Sequence, residues 1–97
     1  MTRSDFEAIK RAVEELHGCE ALYISTEWVR ESLGDRLVWD GGVSVFGLRG
    51  HPAATMCYAW CAQEPGSPRL TYYAVLRMSP IDSSRDAVRA SLALKQL

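Results

Sequence analysis

Residues 54–79 read ATMCYAWCAQ, then EPGSP, then RLTYYAVLRMS, and this stretch decides the fold. Its outer pieces are apolar and aromatic, whereas Glu64-Pro65-Gly66-Ser67-Pro68 sets two prolines and a glycine where neither a helix nor a strand ladder can continue. The pattern predicts an antiparallel hairpin, with one strand over Ala54–Gln63 and its partner over Arg69–Ser79. Successive side chains of a strand point to opposite faces. Met56, Tyr58 and Trp60 therefore share one face and Cys57, Ala59 and Cys61 the other. The second strand sets Leu70, Tyr72, Ala74, Leu76 and Met78 against Thr71, Tyr73, Val75 and Arg77. Neither face is polar, and between Asp40 and Glu64 the one charged residue is Arg49. A sheet face in water needs more charge than that, so both faces require cover.

Two more strands precede the hairpin. Arg36–Arg49 is broken by Asp40-Gly41-Gly42, which reads as a bulge bending one long strand. Glu20–Ser32 alternates Leu22, Ile24, Thr26 and Trp28 with Tyr23, Ser25, Glu27 and Val29, and Gly34-Asp35 turns it back on the strand that follows. The second half of this strand has a competing reading. Thr26 as a cap, Trp28, Val29 and Leu33 as an apolar face and Gly34 as a stop would also describe a two-turn helix. The strand is preferred.

Helices close both ends. Phe6, Ile9, Val13 and Leu16 recur at helical spacing, Ser4 and Glu7 form a capping-box pattern, and Gly18 supplies the stop. At the other end Pro80 ends the fourth strand. Asp82-Ser83-Ser84 offers caps for a helix whose apolar face is Ala87, Val88, Ala90, Leu92, Leu94 and Leu97. The expectation is one α+β domain over residues 1–97, a two-layer sandwich of order α-β-β-β-β-α, with an antiparallel four-stranded sheet carrying both helices on one face. The opposite face would then be left to a second copy of the chain, which predicts a homodimer, or to a sheet coiled over itself.

Composition excludes several classes. The chain has 97 residues, 47% of them apolar, and a formal net charge of −1, the profile of an ordinary globular domain. No apolar run reaches the length of a membrane span, and Met-Thr-Arg-Ser-Asp does not begin like a secretory leader, so a cytoplasmic location is expected. Cys19, Cys57 and Cys61 are odd in number and lack metal-ligand spacing, so they read as reduced thiols without a bound metal. No nucleophile with a base, no metal set and no glycine-rich phosphate loop is visible. The sequence thus points to a non-enzymatic domain without a cofactor that binds a protein or small-molecule partner.

Candidate contact residues come from two places. Arg49 and His51 flank Gly50 ahead of Pro52 in a rigid loop, and Tyr58, Trp60 and Tyr73 line adjacent strands, an arrangement that suits partner or ligand contact. His51 can equally cap backbone groups of its own loop. The alternative is RNA binding. Residues 69–97 carry an excess of three positive charges, with Arg77 on the last strand and Arg85 and Arg89 on one helix face. The α-β-strands-α order is similar to the double-stranded RNA-binding fold in topology alone. Asp82 and Asp86 stand at the helix start, where that fold would need lysines for phosphate.

Overall fold

The computed structural model describes residues 3–63 and 66–95. Its elements are α1 (Arg3–His17), β1 (Glu20–Leu33), β2 (Arg36–Arg49), β3 (Met56–Gln63), β4 (Leu70–Leu76) and α2 (Ser84–Lys95). The four strands form one antiparallel sheet in the order β1-β2-β3-β4. The α-β-β-β-β-α order and the antiparallel sheet are those expected, and residues 26–33 are strand rather than helix. Glu64 and Pro65 in the β3–β4 connection, Leu97, and the side chains of Ser4 and Leu94 lie outside the described residues.

The placement of the helices departs from the expectation. Val45, Tyr58, Trp60, Tyr73 and Val75 share one sheet face and pack with Ala87, Val88 and Leu92 of α2. Phe46, Cys57, Ala59, Tyr72, Ala74 and Leu76 point the other way and pack with Ile9 and Val13 of α1. The helices therefore lie on opposite faces, and the sheet is the middle of three layers. The physical reason is the composition of β3 and β4, which are apolar on both sides and so bury two faces rather than one. On β3 the α2 face is large and aromatic, with Tyr58 and Trp60, and the α1 face is small, with Cys57 and Ala59. α2 meets large rings, whereas α1 settles against Cys57 and Ala59, both at 0% exposure.

Register explains the shape. β2 and β3 pair only from Ser44↔Ala59 to Gly47↔Met56, whereas β1 and β2 continue together from Glu20↔Arg49 to Leu33↔Arg36. The β1–β2 ribbon thus runs on past its third strand. Trp39, Trp60 and Tyr73 bridge the parting strands on the α2 face. The Trp39 and Trp60 rings meet edge-on at 6.0 Å, and Trp60 stacks on Tyr73 at 5.2 Å.

The ribbon's irregularities also lie elsewhere than expected. Gly41 and Gly42 pair in register with Val29 and Trp28, and the shifts fall between Tyr23 and Ser25 and between Glu31 and Ser32. Steric room explains the glycine pair. A Cβ on Gly41 would stand 3.0 Å from Cη2 of Trp39, and one on Gly42 would stand 3.2 Å from Cγ2 of Thr26. These glycines let neighbouring side chains lie against the strand. Gly34, with φ of 63°, turns the ribbon at its tip, a position where only glycine is unstrained.

Ser83 is the residue that caps α2. Its hydroxyl accepts the Asp86 N–H at 3.1 Å and its carbonyl accepts the Ala87 N–H at 3.1 Å. At the other helix, the Gly18 N–H closes on the Glu14 carbonyl at 2.9 Å while Gly18 takes a φ of 61°.

Candidate interaction surface

The residues singled out from the sequence do not converge. Tyr58 and Trp60 are 3% and 2% exposed, inside the core beneath α2, and Tyr73 stacks on Trp60 there. Burial raises the proton affinity of the Tyr58 hydroxyl, against the opposing pull of the Arg77 cation. Arg49 and His51 sit away from these rings, at the end of β2 and in the loop after it. The exposed Arg49 guanidinium lies 3.9 Å from Glu20. Nδ1 of His51 accepts the N–H groups of Ala53 at 3.1 Å and Ala54 at 2.9 Å, so the ring braces its own loop. His17 packs edge-on against it at 6.0 Å, with its own Nε2 3.1 Å from the Ala74 carbonyl.

Arg85 and Arg89 of α2 are engaged in ion pairs with β1. Glu31 projects from β1 toward α2, its side chain only 9% exposed, and accepts Arg89 Nε at 2.8 Å and Arg85 Nη1 at 3.2 Å. Both guanidiniums converge on this one carboxylate. The Ser84 hydroxyl lies 2.5 Å from Glu27 of the same strand, so two acidic side chains of β1 are tied down along α2. The Asp82 N–H donates to Oδ2 of Asp86 at 3.3 Å, which sets the two carboxyl groups within reach of a shared hydrogen bond. That bond raises the proton affinity of Asp82 and lowers that of Asp86. Arg77 donates toward Sδ of Met56 at 3.2 Å.

Cys19, Cys57 and Cys61 are thiols, none of them joined in a disulfide. Burial, aided by the neighbouring Cys19, pushes the Cys57 thiol up to about 12, which leaves it protonated and inert near neutral pH. Among the described residues, no group of three or more His, Cys, Asp and Glu side chains could hold a metal. A cleft of about 220 Å³ lies between α1 and the sheet, lined by Phe6, Glu7, Lys10, Tyr23 and Phe46. Its floor is aromatic. Phe6 and Phe46 meet Tyr23 edge-on at 4.8 and 6.1 Å.

The most distinctive surface is the β1–β2 ribbon. Trp28 is 70% exposed, Leu33 66% and Leu37 51%, and nearer α1 the side chains of Leu22, Tyr23 and Ile24 are exposed as well. Trp28 is not loose. Its indole N–H donates to Oδ1 of Asp40 at 2.6 Å, while Arg30 holds the other oxygen of that carboxylate at 3.4 Å. The polar end of the ring is thereby satisfied, and what remains on offer is an oriented apolar surface. On its outer side β1 has no strand partner among the described residues.

Trp28 stands in the strand reading of the sequence as one more alternating residue, and nothing local marks it as exposed. The available signal was length. β1 and β2 have 14 residues each against 8 and 7 for β3 and β4, so part of the ribbon had to outrun its neighbours.

No family model, curated protein or solved structure matches the chain.

Proposed function

We propose that this chain is a non-enzymatic interaction domain that works as a homodimer and engages a protein or small-molecule partner through the β1–β2 ribbon. One observation carries the reading: an exposed, hydrogen-bond-oriented Trp28 on a long strand that has no strand partner on its outer side among the described residues. Exposed apolar edges invite association, and a tryptophan held in one orientation loses little freedom when it is covered. The partner pocket best suited to a small molecule is the aromatic cleft at Phe6, Tyr23 and Phe46. A cytoplasmic location fits three cysteines in the thiol form, the state a reducing compartment maintains. No helix among the described residues is long and apolar enough to cross a membrane.

Two helices already cover the two sheet faces, so the ground for a dimer is no longer an uncovered face but the ribbon and its edge. RNA binding through Arg85 and Arg89 draws less support, because both already share Glu31. Light scattering across a concentration series tests the reading. The expected result is a mass near twice 10.8 kDa, and a mass that stays at 10.8 kDa up to high micromolar concentration overturns it.

A further inference from the structure

The geometry points to a defined mode of self-association: a second copy pairs antiparallel along residues 25–31 of β1, with the two-fold axis passing through Trp28, so that two sheets join into one. This rests on the homodimer reading and adds the surface, the direction and the register.

Several of the usual protections of an edge strand are missing from residues 25–31. Natural edges are guarded by lysine, proline, bulges or inward-pointing charges. Residues 25–31 read STEWVRE, without lysine or proline. The register shift at Ile24 lies before this segment, and the other shift, between Glu31 and Ser32, falls at its far end. The inward charges Glu27 and Glu31 are already matched by Ser84, Arg85 and Arg89, so they no longer guard the edge. β4 makes a poorer edge. It has half the length, and His17 approaches the carbonyl of its Ala74.

Symmetry and charge select the register. A two-fold axis relating antiparallel neighbours stands normal to the sheet, so each residue faces a residue of the same face and the axis passes through one residue and its copy. Centring on Glu27, Arg30 or Glu31 sets like charges directly opposite each other at the axis, and centring on Val29 sets Glu27 opposite Glu31. Like charges directly opposite are destabilising. Centring on Ser25 runs Thr26, and centring on Thr26 runs Trp28, into the irregular position Ile24. Trp28 remains. There Ser25 faces Glu31, Thr26 faces Arg30 and Glu27 faces Val29, so no like charges stand directly opposite, and Glu27 meets the other copy's Glu27 and Glu31 only as diagonal neighbours. The two indoles meet as a cross-strand aromatic pair, and each has the other copy's Arg30 as its diagonal neighbour, within reach of a cation–π contact.

Cross-linking reads this register directly. Thr26→Cys in one chain and Arg30→Cys in another would stand as opposite neighbours, with Cα atoms about 4.5–5.5 Å apart, within disulfide range. Two Thr26→Cys chains would hold their thiols roughly 14 Å apart along the strands. Under mild oxidation, mixed chains should yield a covalent dimer whose disulfide-linked peptide joins positions 26 and 30, and neither variant alone should link through its new cysteine. Trp28→Lys should raise the dissociation constant at least about tenfold, with the fold checked by circular dichroism. A dimer by light scattering that gives no link between positions 26 and 30, or that is indifferent to Trp28→Lys, overturns this mode while the homodimer reading stands. A monomer overturns both.

Discussion

Glu31 ties α2 to β1 through a single carboxylate that holds both Arg85 and Arg89. It is nearly buried and holds two guanidiniums that are themselves half exposed, so water screens part of the attraction. Glu31→Gln should therefore cost about 1–2 kcal/mol in urea unfolding, less than a fully buried pair would. Gly41 is a second test at this scale. Gly41→Ala forces the Trp39 ring to move, and the loss should appear as a changed near-ultraviolet circular dichroism signal with about 1–2 kcal/mol of destabilisation. Cys57 gives a pH dependence. Its folded thiol is raised above the unfolded value by burial, so its contribution is complete below about pH 9 and is lost as pH rises toward 12. Alkaline titration should show stability falling over that window. In the native protein at neutral pH, iodoacetamide should leave Cys57 unmodified until the chain unfolds. The burial of Cys57 was legible from strand alternation. The Glu31 pairing was not, because its partners lie 54 and 58 positions away.

At the scale of elements, two helices close two separate clusters. Ile9 is 1% exposed on α1 and Val88 is 1% exposed on α2, and they belong to different sides of the sheet. Ile9→Ala should cost about 2–4 kcal/mol and Val88→Ala roughly 1–3 kcal/mol. Because they share no partners, the double variant should lose the sum of the two within about 0.5 kcal/mol. A large coupling energy in denaturant unfolding would place both helices in one core. Most element boundaries came readily from the residues, although β3 starts at Met56 rather than Ala54 and β4 ends at Leu76, short of the Ser79 expected from Pro80. Prolines and glycines mark the β3–β4 connection, Gly34 marks the ribbon's turn, and Ser83 caps α2. The side of the sheet that each helix takes carries no such local mark. An amphipathic helix shows that it has a buried face, not which layer receives it.

For the whole molecule, association and stability are linked. A folded dimer in equilibrium with unfolded monomers gains stability with concentration, so Tm should rise across a hundredfold concentration range in the native chain and stay constant in Trp28→Lys. A net charge of −1 leaves little long-range repulsion to oppose the approach of two copies. Of the residues read as contacts from sequence, Tyr58 and Trp60 went to the core, and Arg85 and Arg89, half exposed, to a shared pairing with Glu31. Trp28, Leu33 and Leu37 came out exposed instead.

What the residues determined alone was local: which segments are helix, strand or turn, the antiparallel order that short turns impose, and the need of β3 and β4 to be buried on both sides. These follow from side-chain periodicity and backbone chemistry, which act over a few positions. Tertiary structure decided which layer covers which face, that the ribbon outruns its sheet, and which aromatic rings are core and which are surface. Burial is a property of packing among distant segments. A tryptophan in a strand looks the same in sequence whether a helix lies over it, as over Trp60, or only solvent does, as at Trp28.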